Sequence, residues 1–358
     1  MRKVTPATVA HLADFDEIID VRTPAEFAED HIPGAVNYPV LSNEERVIVG
    51  TLYKQASDFE AKKVGAALIA RNIANHLEAH FADKPKNWRP LIYCWRGGNR
   101  SGAMAHILNQ VGWRAGKLEG GYKSYRSAVL EELATLPDKF RLNVVCGLTG
   151  SGKSRLLQAL HMLGAQVLDL EQLAAHRGSI LGNLPDIAQP SQKMFDSLIW
   201  WQLRQLDPER PIYIEAESKK VGRLRVPEAL ISAMWLEPKC LRMEISSEHR
   251  VALLKSEYGH FLQDPASLNA KLEFLTRTYG HEQIGKWKAL VNSGQWDTLV
   301  LELLEKHYDP FYTKSITHHY PDYDHAATVM VTDISEAGML ALARTILEQH
   351  QDDMSRSS

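Results

Sequence analysis

Two strings in this 358-residue chain hold residue types that could do chemistry. The first, Leu91-Ile92-Tyr93-Cys94-Trp95-Arg96-Gly97-Gly98-Asn99-Arg100-Ser101, reads as an apolar strand ending in a cysteine, a glycine-bearing turn and the start of a helix. Such a turn aims backbone N–H groups, and the positive end of a helix dipole, at one point. That point would be the Cys94 sulfur. Donors that hold an anionic substrate also favour the thiolate, so Cys94 is expected to be a nucleophile, with Arg96 and Arg100 adding positive charge beside it. A free cysteine is more often a small buried hydrophobe, but a core position would not be flanked by two cations. Cys146 and Cys240 lie in strand-like apolar runs and are expected to be inert.

The second string, Gly147-Leu148-Thr149-Gly150-Ser151-Gly152-Lys153-Ser154, matches the phosphate-loop pattern G-x-x-x-x-G-K-[ST] in full, with an apolar strand before it and a helical pattern after it. The N–H groups from Gly147 through Gly150, Ser151 and Gly152 would cradle phosphate oxygens. Lys153 would supply a point charge, and Ser154 could ligate magnesium. After the strand Ile212 to Ile214, where a magnesium-holding aspartate is expected, stand Glu215, Ala216 and Glu217; Asp169 is a second candidate carboxylate. Phosphate binding is therefore better founded than ATP hydrolysis, and a diphosphate ester would satisfy the same cradle.

The elements that must position these strings form two α/β units. The first is expected over residues 1–137, with strands at Ile18 to Val21, Leu91 to Tyr93 and Lys117 to Leu118. A helical insertion over about 44–82 shows Ala66, Ile69, Ala70, Ile73, Leu77 and Phe81 at three- and four-residue steps. Pro137 marks the joint. The second is expected over 138–350 as a largely parallel sheet, with strands at Val144 to Gly147, Val167 to Leu170, Ile212 to Ile214, Leu241 to Ile245 and Thr328 to Val331. A polar tail over 351–358 is expected to be disordered.

With 41 Lys and Arg against 44 Asp and Glu, any nucleic-acid partner must be held by a local patch. Lys219, Lys220, Arg223 and Arg225 are the densest such cluster, and either phosphate contact or simple solvation suits them. Trp200, Trp201 and Trp235 could stack on bases, although core packing is the commoner fate of tryptophan. His318, His319 and His325 lack metal-ligand spacing, and three cysteines without a CxxC pair exclude a disulfide framework or zinc knuckle. No apolar run approaches the roughly 20 residues that span a bilayer, and the N-terminal stretch lacks a signal-peptide pattern. A cytoplasmic protein is expected.

Asp20-Val21-Arg22-Thr23-Pro24-Ala25-Glu26-Phe27 and His31-Ile32-Pro33-Gly34-Ala35, followed by the cysteine loop, resemble rhodanese domains. That resemblance implies a cysteine that carries sulfur. One departure is the C-x5-R spacing from Cys94 to Arg100, one residue longer than the loop of many single-domain rhodaneses. It is closer to the loops of cysteine phosphatases and can admit a tetrahedral anion. Most of the chain is similar to tRNA 2-selenouridine synthases, a rhodanese module fused to a phosphate-loop domain. The similarity rests on the cysteine loop, Gly120-Gly121-Tyr122-Lys123, the complete phosphate loop, His176-Arg177-Gly178-Ser179, Gln189-Pro190-Ser191-Gln192 and Glu217-Ser218-Lys219-Lys220-Val221-Gly222. It implies replacement of sulfur by selenium at the wobble 2-thiouridine of tRNA, using selenophosphate. It further implies an S-geranyl-2-thiouridine intermediate made from geranyl diphosphate, and Cys94 as an S-selanylcysteine. A selenophosphate-supplying partner, a monomer without tightly bound cofactor and optional magnesium complete that expectation. A cysteine phosphatase or a sulfurtransferase fused to a nucleotide-binding domain is the competing reading.

Overall fold

The computed structural model describes residues 4–179, 181–236, 239–320 and 323–357. It divides into two compact units. One holds the chain up to Leu133 together with Pro190–Trp201; the other holds Ala134–Gln189 and the chain from Gln202 onward.

The first unit is built on a five-stranded, all-parallel sheet in the order β1-β5-β4-β2-β3, with β1 Thr5–Ala7, β2 Glu17–Asp20, β3 Val36–Asn37, β4 Pro90–Tyr93 and β5 Gly116–Leu118. Its central strand β4 is buried along its whole length, as expected of a parallel strand covered on both faces. The helices are α1 Pro24–Glu29, α2 Asn43–Gln55, α3 Asp58–His76, α4 Asn99–Val111 and α5 Gly121–Leu133. The predicted insertion is the pair α2 and α3, started by Ser42 and Ser57, whose hydroxyls accept from the Glu45 and Glu60 N–H groups. Ile73 and Phe81 turn into the core, while Val47, Ile48, Tyr53 and Phe59 stay exposed.

Residues 190–201 correct the contiguous division expected from sequence. Ser197 donates to the buried Asp30 carboxylate (2.8 Å), Trp200 donates to Glu132 (2.8 Å) and sets its ring against Tyr125, and Asp196 pairs with Arg126. These hydrogen bonds, the ion pair and the ring contact tie the segment to the first unit.

The second unit carries another five-stranded parallel sheet, order β12-β11-β6-β8-β7, from β6 Leu142–Cys146, β7 Gln166–Leu168, β8 Ile212–Glu215, β11 Lys239–Ile245 and β12 Ala327–Val331. A separate hairpin pairs β9 Lys220–Val221 with β10 Leu224–Arg225. Helix α6 Lys153–Met162 follows β6 and packs Leu156, Leu157 and Leu160 into the sheet core. A helical cluster centred on Phe261, Leu272, Trp287 and Leu303 forms a second core. The helix Glu336–Ser357 continues through the expected disordered tail, because nothing in 351–357 is a glycine or proline that would stop it. Among the described residues, no helix is long and apolar enough to cross a membrane.

Candidate functional site

In the first unit, Cys94 follows β4 directly. Its residue is 3% exposed and its sulfur lies at the floor of a cavity of about 620 Å³. Gly98, at φ +79°, turns the chain into α4, a conformation that glycine adopts without strain. No acceptor among the described residues takes the N–H of any residue from Trp95 to Ser101, so the loop presents a row of donors around the thiol. Ser101 Oγ donates to Cys94 Sγ at 3.3 Å. Arg96 is exposed at the rim, and Lys117 of β5 brings its ammonium against Gly98.

Arg100 is held by the string that the sequence marks as the domain's entry. Asp20 and Arg22 form a buried ion pair (2.6 Å), and Arg22 lies 4.0 Å over the Tyr122 ring. Thr23 caps α1, Pro24 occupies its first turn, and Glu26 closes the capping box. Glu26 then accepts from both ends of the Arg100 guanidinium, at 2.8 and 3.2 Å. Burial is the largest single influence and would raise the Glu26 pKa, but the Arg100 hydrogen bond and charge, the Thr23 N–H and the charge of Arg22 together hold the carboxyl below its ordinary range.

Gly120-Gly121-Tyr122-Lys123 clamps the loop from the other side. The N–H groups of Tyr122 and Lys123 donate to the carbonyls of Cys94 and Trp95 at 2.8 and 3.0 Å, and a Cβ on Gly121 would collide with the Cys94 carbonyl. The string was legible, but its task was not: a clamp shows only once α5 is laid against the loop. The cavity above Cys94 has an apolar wall from α2 and α3, including Val49, Tyr53, Ala66 and Ile69, facing Arg96 and Arg100.

In the second unit, the phosphate loop joins β6 to α6 at the centre of the sheet. Gly150 (φ +78°) and Gly152 (φ +84°) take left-handed backbone, and Leu254 and Met339 pack where their side chains would stand. Gly147 donates its N–H to the Tyr312 hydroxyl at 3.0 Å. Lys153 Nζ lies over the loop, 2.8 Å from the Gly147 carbonyl. Ser151 Oγ is buried and has no partner among the described residues. Arg250 ties the loop down, donating to the Thr149 carbonyl at 2.9 Å while pairing with both oxygens of Asp309.

Ser154 Oγ donates to Glu171 at 2.9 Å, and the Glu171 N–H donates to Glu215 Oε1 at 2.8 Å. Glu215 is fully buried, its second oxygen unpartnered among the described residues; burial, then the charges of Asp169 and Glu171, push its pKa well up. Burial and the neighbouring Glu171 likewise push Glu217 up to about 8. Asp169 serves as the cap of the short helix Leu170–Leu173, accepting from Gln172. Among the described residues no three His, Cys, Asp or Glu side chains converge as a metal cage. Ser154 and Glu171 are nevertheless the hard oxygen donors that magnesium takes when substrate phosphates complete its shell.

Gly150, Lys153, Ser154, Glu171, Glu217 and Tyr312 line one cavity of about 900 Å³, which also reaches Arg177, Tyr258, Tyr308 and Phe311. Arg177 stacks at 4.9 Å on Tyr258 with one guanidinium nitrogen buried and unpartnered among the described residues. Arg177, Tyr312, Arg250 and Glu171 are the site residues that sequence reasoning missed. Only Arg177 left a signal, its place in His176-Arg177-Gly178-Ser179.

Lys219, Lys220, Arg223 and Arg225 come together, all exposed, on the β9–β10 hairpin. Lys219 lies over the Trp235 ring, and Arg223 donates to the Gln189 carbonyl at 2.7 Å. Trp200 is fully buried and stacks on no base. His319 lies flat on Trp235, as a ring partner. Cys146 is buried, and its hydrogen bond with Cys240 together with burial pushes its thiol far up, which suits the inert role expected.

A family profile for the tRNA 2-selenouridine synthase AAA domain matches residues 140–329, and one for rhodanese-like domains matches residues 5–128. The chain is 35% identical over 226 residues to a tRNA 2-selenouridine synthase of Nitrosomonas europaea, a match covering 62% of this chain and 58% of that one. It is 36% identical over 245 residues to the Sulfurovum protein of the same name, covering 67% and 65%. With the Shewanella halifaxensis protein it shares 32% identity over 328 residues, covering 84% of this chain and 88% of that one. A cysteine loop and a phosphate loop in two parallel-sheet units, matched by both profiles and along most of a relative's length, place the chain in the tRNA 2-selenouridine synthase family.

Proposed function

We propose that this protein replaces the sulfur of wobble-position 2-thiouridine in tRNA by selenium, using selenophosphate, through S-geranyl-2-thiouridine made from geranyl diphosphate. The observation that carries the reading is the presence, in one chain of this family, of two distinct anion cradles: a thiol-floored loop and a phosphate loop opening onto an aromatic-walled cavity.

The phosphate loop receives the diphosphate, with Lys153 and Arg177 neutralising it and Tyr258, Tyr308 and Phe311 offering apolar surface to the hydrocarbon. The thiouridine sulfur attacks the allylic carbon and diphosphate leaves with the bonding pair. Alkylation is useful chemically. A thiocarbonyl sulfur is a poor leaving group, whereas the S-alkylated base has an electrophilic C2 that can expel a thiol when selenium attacks. Cys94, assisted by Arg96 and Arg100, takes selenophosphate and mobilises its selenium for that attack. Lys219, Lys220, Arg223 and Arg225 supply cations for the tRNA backbone.

The test is mass spectrometry of nucleosides from tRNA incubated with the protein, selenophosphate and geranyl diphosphate. Cys94→Ser should accumulate S-geranyl-2-thiouridine without selenouridine, and Lys153→Ala should stop geranylation. Selenouridine made at the normal rate by Cys94→Ser would refute the role of the thiol.

A further inference from the structure

We infer that Cys94 takes up the phosphoryl group of the selenium donor, as a phosphocysteine, and sets the selenium free as hydroselenide. The inference rests on selenophosphate being the donor, as proposed above, and differs from a cysteine that carries selenium.

Electron counting motivates it. Selenium enters bound to phosphorus and ends doubly bonded to carbon, at the same oxidation level throughout. Forming a Cys94 S–Se bond would oxidise selenium and leave phosphorus reduced, and releasing that selenium would then need a reducing thiol. Attack on phosphorus needs neither. The Cys94 thiolate forms an S–P bond, the P–Se bond breaks, and selenium leaves with the electron pair as hydroselenide, keeping the proton it carried. Water then attacks phosphorus, the S–P pair returns to Cys94 as thiolate, and inorganic phosphate departs with both hydrogens of that water. Hydroselenide adds to C2 of the S-alkylated base and the alkylthiol leaves.

The loop is built for a tetrahedral phosphoryl group rather than a single chalcogen atom. Five residues separate Cys94 from Arg100, and the N–H groups from Trp95 to Ser101 have no protein acceptor among the described residues. Arg96, Arg100 and Lys117 stand around the same loop. Ser101 Oγ, 3.3 Å from the sulfur, is placed to stabilise the thiolate as it departs from phosphorus. A sulfur that kept selenium would have no such departure. Glu26, the carboxyl at the loop, is committed to Arg100. It is not needed as an acid, because hydroselenide is a stable anion at neutral pH and leaves without protonation.

The experiment uses the full chain with selenophosphate labelled in one sample with radiophosphorus and in another with radioselenium, without added thiols or oxygen, with and without S-geranylated tRNA. Acid-quenched protein should carry phosphorus and no selenium on Cys94, and selenouridine should form without reductant. Ser101→Ala should increase the phosphorus adduct severalfold by slowing its hydrolysis, and Ser101→Thr should restore wild-type levels. Selenium on Cys94, a strict need for a reductant, or absence of labelled phosphorus from the protein while selenouridine forms would each overturn the inference. Failure of selenouridine to form from selenophosphate under any condition would instead overturn the function on which it rests.

Discussion

Replacing Trp200 by alanine should unfold the first unit locally although the residue lies far along the sequence from it. The indole is fully buried, meets Tyr125 edge to face at 5.5 Å between centroids, and donates from Nε1 to Glu132 at 2.8 Å. Loss of a buried tryptophan side chain costs about 3–5 kcal/mol. Even the lower figure corresponds to an opening equilibrium raised about 100-fold or more, at about 1.4 kcal/mol per factor of ten. Hydrogen exchange read by mass spectrometry should therefore show β2, β4 and α5 losing protection by that factor. The strands β6, β8 and β11 should change far less. Unchanged protection in β2 and β4 would refute the assignment of 190–201 to the first unit. Trp200→Phe, which keeps most of the packing but not the N–H donor, should retain the larger share of the stability.

Glu217→Gln should stabilise the protein increasingly as pH rises. A carboxyl lifted from its ordinary value near 4.5 to about 8 is protonated preferentially in the folded state, so its contribution is complete below 4.5 and lost as pH climbs through 8. Melting temperatures of variant and wild type should converge near pH 4 and separate most by pH 9; a constant offset would contradict this. Arg177→Ala should weaken binding of inorganic diphosphate about tenfold or more by calorimetry with only a small change in melting temperature, since it gives up the stack on Tyr258 but also removes a buried guanidinium nitrogen that has no partner among the described residues. Gly152→Ala should cost more than about 1 kcal/mol and abolish diphosphate binding, because alanine at φ +84° is strained and Met339 occupies the space.

The chemical strings were legible because each is short, contiguous and obeys a local rule. The phosphate loop requires two left-handed glycines at fixed positions. The cysteine loop requires a strand end, a turn and a helix start, and both occur where the spacing places them. The longer strands β2, β4, β6, β8, β11 and β12 were legible for the same reason, as apolar runs such as Leu142–Cys146. Strand β1 was not, since Thr5-Pro6-Ala7 pairs only at one edge and contains a proline. Strand β3 is two residues long, and the β9–β10 hairpin four residues around Gly222. The partners of each loop stayed hidden for another reason. Tyr312 and Arg250 reach the phosphate loop from helices far along the sequence and Glu171 from the four-residue helix Leu170–Leu173, and nothing local distinguishes these side chains from solvated ones. Asp169 was legible as a strand-end carboxylate, a place that equally suits a helix cap, and it caps Leu170–Leu173 at the edge of the same cavity.

The segment 190–201 also bears on how the chain is made. A ribosome delivers the cysteine loop early, yet the surroundings of Asp30, Arg126 and Glu132 stay incomplete until residues 134–189 have emerged and 190–201 has followed. During that interval the Cys94 thiol is already present in a unit that still lacks part of its core. A fragment cut at Pro137 would keep that state permanently. It would contain every residue of the cysteine loop and yet lack Ser197 and Trp200, so such an excised module is a poor stand-in for the unit as it occurs in the whole chain.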